Sequence, residues 1–381
     1  MITQTARMVV VLSILFLNVT TGQGQTVPSM LSTDVASVVT GAATVFLKSS
    51  PQVTGVSIGV LKDGQIYTYN QGTIEKGANR PPAADTLYPI ASVTKTFTGT
   101  LLAIAAIEGK LKLDDDVRKY LDGNYHNLEY QGHPIRLEHL VNHNSGLPFN
   151  LPDIPENRPP FPPIGPEARR MLDNYTRMDF LADLHKVEIK TMPGEKFSYS
   201  NSAAMLLSII LERVYGLPYE EIVKQKIAVP LGMQDTTMTV TPVQARRLAK
   251  GYDEKGELQP YPLDMLLGAG ALKSTVADLL KYAQWEMAER DPAVKISHES
   301  RFVLSDNFSV GLNWQMLKSG PYRRIWQEGN LPGFMSMCLT FPELHMALVA
   351  LVSEDDRQSA HAFSDMISEI AKGLDVRVPL L

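Results

Sequence analysis

The sequence predicts an α+β fold, an α/β sandwich. One antiparallel sheet is built from the N- and C-terminal segments and flanked by helices, with a mainly helical domain inserted between them. Three observations carry this prediction. Strand-like runs gather at the two ends of the chain, over 53–69 and 310–352. The chain between them is dominated by apolar runs of helical period. An amphipathic helical run stands at each extreme, over 33–48 and 356–374. The expected organisation is a signal segment at 1–24, a discontinuous α/β domain at 30–95 and 290–381, and a mainly helical domain at 96–289.

The first element is the leader. Arg7 is the only charge before Asp34, and Met8 to Leu17 is apolar except for Ser13. Small residues follow at Thr20, Thr21, Gly22 and Gly24. Such a run is too short to span a bilayer and fits a secretory signal cut around Gly22 to Gln25. No other stretch reads as a membrane span, so a periplasmic or secreted protein is expected. Cys338 is the only cysteine of the 381 residues, which excludes an intrachain disulfide, and its apolar surroundings make it a core residue. The net charge of −5 is spread without a basic stripe, so nucleic-acid binding has no support.

Thr33 to Lys48 forms the first amphipathic helix. Val53 to Leu61 and Ile66 to Tyr69 are strands of a hairpin that turns at Asp63-Gly64. The first strand contains Gly55-Val56-Ser57-Ile58-Gly59. This matches G-x-S-x-G, but a nucleophile elbow needs a strand, a sharp turn and a helix, and here the strand simply continues. A third short strand at Leu87 to Ile90 leads into Ser92-Val93-Thr94-Lys95 and a helix apolar almost all round to Gly109. Positions i and i+3 share a helix face, so Ser92 and Lys95 can converge as nucleophile and base. Burial and the helix N-terminus would keep Lys95 neutral. Taken alone, the tetrapeptide reads more readily as an N-cap serine with a first-turn lysine, and the rest of the chain must decide.

Asp114-Asp115-Asp116 matches no calcium loop and reads as a solvated turn with helix-capping acids. His139 and His143 stand at i and i+4, but no H-E-x-x-H pattern surrounds them, and a structural role is expected. Residues 148–166 form a long proline-dense loop, of a length that often makes a functional rim. Helices are predicted at Glu167 to Val187, Ser202 to Val214 and Tyr219 to Ile227. Gly268 to Leu272 is a small-residue turn, and a helix runs from an N-cap at Ser274 to Glu289. Four strands follow at Val310–Leu317, Arg324–Gln327, Met335–Phe341 and Met346–Val352, before the closing helix Asp356–Leu374.

In order along the chain, these segments resemble the serine β-lactamase-like family, which takes in class C β-lactamase, D-alanyl-D-alanine carboxypeptidase and related esterases. Ser92-Val93-Thr94-Lys95 resembles its S-x-x-K motif, and Tyr199-Ser200-Asn201 its Y-x-N motif. Leu113 to Val117, Leu140 to Pro148 and Pro230 to Thr236 resemble its structural signatures, and Leu331 to Phe334 the segment after its third motif. The likeness covers about 35–352, and the proline loop is similar to that of the AmpH-like penicillin-binding branch. It implies the β-lactamase/transpeptidase-like fold, a serine hydrolase with an acyl-enzyme mechanism, and no metal or cofactor. Ser92 would be acylated, Lys95 would take its proton, and Tyr199 would serve the leaving group. Asn201 would bind the substrate amide and orient Lys95. The backbone N–H groups of Ser92 and Asn330 would form the oxyanion hole.

The third motif departs from the family. Where K-T-G or H-x-G is usual, this chain has Gln327-Glu328-Gly329. Gln327 can hydrogen-bond but cannot pair with a carboxylate, which costs about 1.5–3 kcal/mol of recognition. Strand alternation puts Gln327 and Glu328 on opposite faces, and Arg323 and Arg324 stand near enough in sequence to compensate. The expected activity is hydrolysis of amides or esters of the D-Ala-peptide or β-lactam type, with modest β-lactamase activity. The alternatives are a carboxylesterase with little peptidase or β-lactamase activity, and a non-catalytic penicillin-binding sensor. The expected partner is a small-molecule or peptide substrate of cell-wall origin.

Overall fold

The computed structural model describes residues 34–158, 165–253, 255–259, 264–354 and 357–376. The expected signal segment and six residues of the proline loop lie outside these. The strands are β1 (Gly55–Lys62), β2 (Gln65–Gly72), β3 (Tyr88–Pro89), β4 (Glu129–Tyr130), β5 (His133–Pro134), β6 (Lys273–Ser274), β7 (Phe302–Val303), β8 (Phe308–Gly311), β9 (Trp314–Ser319), β10 (Tyr322–Leu331), β11 (Phe334–Phe341) and β12 (Met346–Val352). The helices are α1 (Val35–Ser49), α2 (Thr94–Ile107), α3 (Leu137–Val141), α4 (Pro166–Asp173), α5 (Arg177–Leu184), α6 (Asn201–Tyr215), α7 (Tyr219–Val223), α8 (Pro242–Ala245), α9 (Val276–Ala288), α10 (Pro292–Ser297) and α11 (Arg357–Gly373).

Eight strands form one antiparallel sheet in the order β2-β1-β12-β11-β10-β9-β8-β7. β1 pairs with β12 in the register Val56 to Val352, so the two ends of the chain meet one strand in from the β2 edge of the sheet. Both faces are covered. Val56, Ile58, Leu348, Ala350 and Val352 pack against α1 and α11, while Ala347, Val349 and Leu351 face the helices on the other side. Burial on both faces explains why β12 reads as a continuous apolar run rather than an alternating one. α9 packs on β1, β11 and β12, and a Cβ at Gly59 would stand 2.6 Å from Val276. The second glycine of G-x-S-x-G thus serves helix packing. Ser57 is buried in mid-strand, bonded to the Tyr88 hydroxyl at 3.2 Å.

Several local expectations are corrected. The predicted Glu167–Val187 helix is two helices, because Thr176 starts a new one. Its hydroxyl accepts from Asp179 N, and the Asp179 carboxylate accepts from Thr176 N. Val310–Leu317 is two strands, joined by a tight turn at Leu312 and Asn313, both with positive φ. That turn is held from outside its own hairpin: Leu312 N donates to Asn142 Oδ1 and Asn313 Nδ2 to Lys95 O. The α9 N-cap is Thr275, not Ser274, which lies in β6 and bonds Thr236. The short strand expected at Leu87 to Ile90 is β3, which pairs with β6 in a separate two-stranded sheet. The capping expectation at the aspartates holds at Asp116, which accepts from Arg118 N.

Candidate active site

Ser92 lies in a single 3-10 turn, Ala91–Val93, directly before α2. The turn is clamped on both sides. Ile90 N donates to Leu272 O at 3.0 Å, and Ser336 Oγ of β11 donates to Ile90 O at 2.8 Å. Ala91 is thereby held at φ +46°, a conformation an alanine adopts only when its surroundings enforce it. α2 is buried along its length. Phe97 stacks on Tyr282 with centroids 4.0 Å apart, and Gly99 lies so close to Leu312 O that a Cβ would stand 1.9 Å from it. The Ser92 side chain is therefore presented from a rigid base.

Lys95 is fully buried. Its Nζ forms a 2.9 Å hydrogen bond with Ser92 Oγ and donates to Ala269 O at 2.6 Å. Burial drives the ammonium pKa well below that of an ordinary lysine. The Nζ also stands over the Tyr199 ring, 5.0 Å from its centroid. Tyr199 precedes α6, whose N-cap Ser200 accepts from Ala203 N and donates to Pro148 O. Burial raises the Tyr199 phenol, and hydrogen bonds with Ser92 and Gln327 act against it. Burial thus favours the uncharged form of both groups, amine and phenol.

His143 lies under Tyr199, with ring centroids 4.3 Å apart. Its Nδ1 accepts from Ser200 N at 3.3 Å, and burial pushes its pKa down to about 3. His139 Nδ1 is separately engaged by Arg136 N. Among the described residues, no group of three His, Cys, Asp or Glu side chains converges as metal ligands.

Asn201 opens α6, but its amide does not bond Lys95. Nδ2 donates to Asn150 Oδ1 at 2.8 Å, and Asn150 Nδ2 donates in turn to Asn157 O at 2.7 Å. Asn201 is thereby tied into the described part of the proline loop. Gln327 reaches the site from β10, 2% exposed, with Nε2 3.5 Å from Tyr199 Oη. Gly329 is required by close approach: a Cβ would stand 2.7 Å from both Ile90 O and Ser92 N. This brings the backbone just before Asn330 against the Ser92 amide. Neither arginine supplies the missing cation. Arg323 pairs with Glu289 and Glu343, and the Arg324 guanidinium stacks 3.8 Å from the Trp326 ring centroid, on the strand face opposite Gln327. Burial raises the Glu328 carboxyl to about 7 despite Arg324.

Ser92, Lys95, Tyr199, Gln327 and Gly329 therefore converge, with Asn201 one step back. Sequence reasoning missed the Ala269 carbonyl, Asn150 and Gln315, which bond Lys95, Asn201 and Gln327 respectively from other elements of the chain. The only local signal was for Asn150, which stands two residues after Pro148 in the recognised Leu140–Pro148 segment.

The sequence pattern of the beta-lactamase family, described as "Beta-lactamase", matches residues 37–367. The chain is 28% identical over 347 residues to the D-alanyl-D-alanine-carboxypeptidase/endopeptidase AmpH of Escherichia coli (strain K12), covering 86% of each chain. It is 26% identical over 298 residues to a beta-lactamase of Pseudomonas fluorescens, covering 75% of each. The fold is like that of the beta-lactamase/D-alanine carboxypeptidase from Pseudomonas syringae, with a TM-score of 0.75 at 19% identity over 89% of this chain and 98% of that one. The corresponding Yersinia pestis structure gives a TM-score of 0.72 at 24% identity, over 88% of this chain and 98% of that one.

Proposed function

The chain belongs to the beta-lactamase family and is a serine hydrolase, and on that premise we propose that it cleaves amides or esters of the D-Ala-peptide or β-lactam class through an acyl-enzyme on Ser92. The observation that carries this reading is the 2.9 Å contact between Ser92 Oγ and a fully buried Lys95 amine, with the Tyr199 phenol at the same point. The amine takes the Ser92 proton as Oγ bonds to the substrate carbonyl carbon. Charge on the carbonyl oxygen is met by the N–H groups of Ser92 and Asn330. The Tyr199 phenol protonates the departing nitrogen or oxygen, and the Lys95 ammonium returns a proton to the phenolate. Water then attacks the Ser92 ester, losing its proton to the same pair, which passes it to Ser92 Oγ as the acid leaves. Asn201 contacts the substrate amide from the start of α6.

Gln327 tilts the reading toward substrates without a free carboxylate beside the scissile bond, because a buried amide there cannot pair a charge. The same residue favours a second reading, a carboxylesterase with little peptidase or β-lactamase activity. Secretion, read from residues 1–24, places the reaction outside the cytoplasm in this proposal. Among the described residues, no helix is long and apolar enough to cross a membrane.

The test is labelling with a fluorophosphonate and a fluorescent penicillin, followed by peptide mapping. The adduct is expected on Ser92, with loss of labelling in Ser92→Ala. An adduct on Ser57, or none, refutes the mechanism. Turnover of a short-chain p-nitrophenyl ester without turnover of a chromogenic cephalosporin selects the esterase, and penicillin acylation without release selects a sensor.

A further inference from the structure

Two neutral amides on neighbouring strands determine what the Tyr199 hydroxyl meets. Gln327 Nε2 faces Tyr199 Oη, and at its other end Gln327 Oε1 accepts from Gln315 Nε2 at 3.0 Å. Gln315 lies on β9 opposite Trp326, the last pair in the β9–β10 ladder. Its side chain reaches past the end of that ladder to the next residue of β10. A primary amide is nearly symmetric in shape but has a donor end and an acceptor end. Whichever group holds one end therefore selects the chemistry of the other.

We propose that Gln315 is a positioning residue: by donating to Gln327 Oε1 it turns the Gln327 NH2 group toward Tyr199 Oη and the substrate. The proposal rests on the acyl-enzyme reading above and adds to it a residue that touches neither substrate nor Ser92. With the NH2 group inward, Tyr199 Oη accepts from Gln327, and its own proton stays available to Ser92 or the leaving atom. With the amide reversed, Gln327 Oε1 would accept that proton and withdraw it from the reaction. The second N–H of the same group is left for an uncharged oxygen of the substrate, such as the carbonyl of a continuing peptide or an ester. The charged and titratable groups around this pair are Lys95 from α2, neutral His143 from the turn after α3, and Glu328 of β10. None of them is hydrogen-bonded to Gln327; its bonds are with Gln315 and Tyr199.

Three substitutions at one position separate polarity from packing. Gln315→Met keeps the length and removes the donor. Gln315→Lys keeps a donor toward Gln327 Oε1. Gln315→Glu at neutral pH can only accept, which draws the NH2 group outward. Turnover of a short-chain p-nitrophenyl ester is expected to fall at least tenfold in kcat for Gln315→Glu with KM within threefold, and by less for Gln315→Met. Gln315→Lys is expected to recover most of the turnover lost in Gln315→Met. In a Gln327→Met background, Gln315→Met should change kcat by less than twofold, and this cycle stands even if the charged variants fail to fold. Equal losses in Gln315→Lys and Gln315→Glu, unchanged kcat in Gln315→Met, or losses that multiply in the double variant overturn the proposal. Fluorophosphonate labelling of the parent chain separates the two levels. A Ser92 adduct with a flat Gln315 series overturns the positioning role alone, whereas no Ser92 adduct overturns the acyl-enzyme reading and this proposal with it.

Discussion

Lys95 is held by a hydroxyl and a carbonyl, with no carboxylate among its hydrogen-bond partners in the described residues. Its pKa is therefore depressed by burial, while burial raises that of Tyr199. The sign of the pH dependence follows. Acylation needs the amine and the phenol together, so its rate rises as pH passes upward through the lowered Lys95 value. It then stays level until Tyr199 ionises, above its ordinary value of 10. Fluorophosphonate inactivation rates measured across pH should show that plateau, and an acid limb centred near 10 would refute it. Gly329 carries a second expectation at this scale. Gly329→Ala forces a methyl against Ser92 N and Ile90 O, so acylation should slow by on the order of 10²–10³, as when an oxyanion donor is displaced. Circular dichroism should remain native. The residues legible in the sequence were those carried by short local motifs: Ser92 with Lys95, and Tyr199 with Asn201. Gln315 and the Ala269 carbonyl were not legible, because nothing near them in sequence indicates that they meet Gln327 and Lys95.

At the scale of elements, β10 does two jobs. Its C-terminal half carries Gln327 and Gly329 to the site, and its N-terminal half carries Arg323 into a partly buried charge network. Arg323 pairs with Glu289, Glu289 pairs with His298 at 2.8 Å, and His298 Nε2 stands 3.2 Å from Glu286 Oε2. Burial opposes charge on Glu289, but hydrogen bonds from His298 and Arg323 prevail and hold its carboxyl at about 2. Burial likewise opposes the His298 imidazolium, and the hydrogen bond with Glu289 together with the nearby Glu286 carboxylate raises it instead. The stability from Glu289 is complete above its unfolded value of 4.5 and is lost as pH falls toward 2. That from His298 is complete below 6.5 and is lost as pH rises through its raised folded value. His298→Gln should therefore lower Tm most between about pH 4.5 and 6.5 and least in alkali, by differential scanning fluorimetry. An equal loss at all pH values would refute the network. Strand existence was legible here from the apolar period, but strand limits were not. The split at Leu312 and Asn313 is imposed by Asn142 and Lys95, which belong to other elements.

For the whole molecule, the sheet between two helical layers was legible because strand-period and helix-period segments are sorted along the chain. The assignment of helices to faces was less so, since α9 lies on the sheet although its sequence resembles that of the helices before it. α1 and α11 close the outer face together, with Phe46 edge-on to Phe363 at 6.2 Å. Phe46→Ala should cost about 3–5 kcal/mol, seen as a lower midpoint in urea with an unchanged slope. A loss below about 1 kcal/mol would mean that this layer is not part of the cooperative core.

The pairing of β1 with β12 also orders events during synthesis. The hairpin of β1 and β2 emerges early, yet β1 waits for Val352 and its neighbours before its second edge is covered. Until then a row of amides and carbonyls between apolar side chains stays open, a template for pairing with another nascent chain. The last strand is thus a lock on the first. A chain released before it is made should accumulate as aggregate, while one completed by a single further segment should become soluble and resistant to protease.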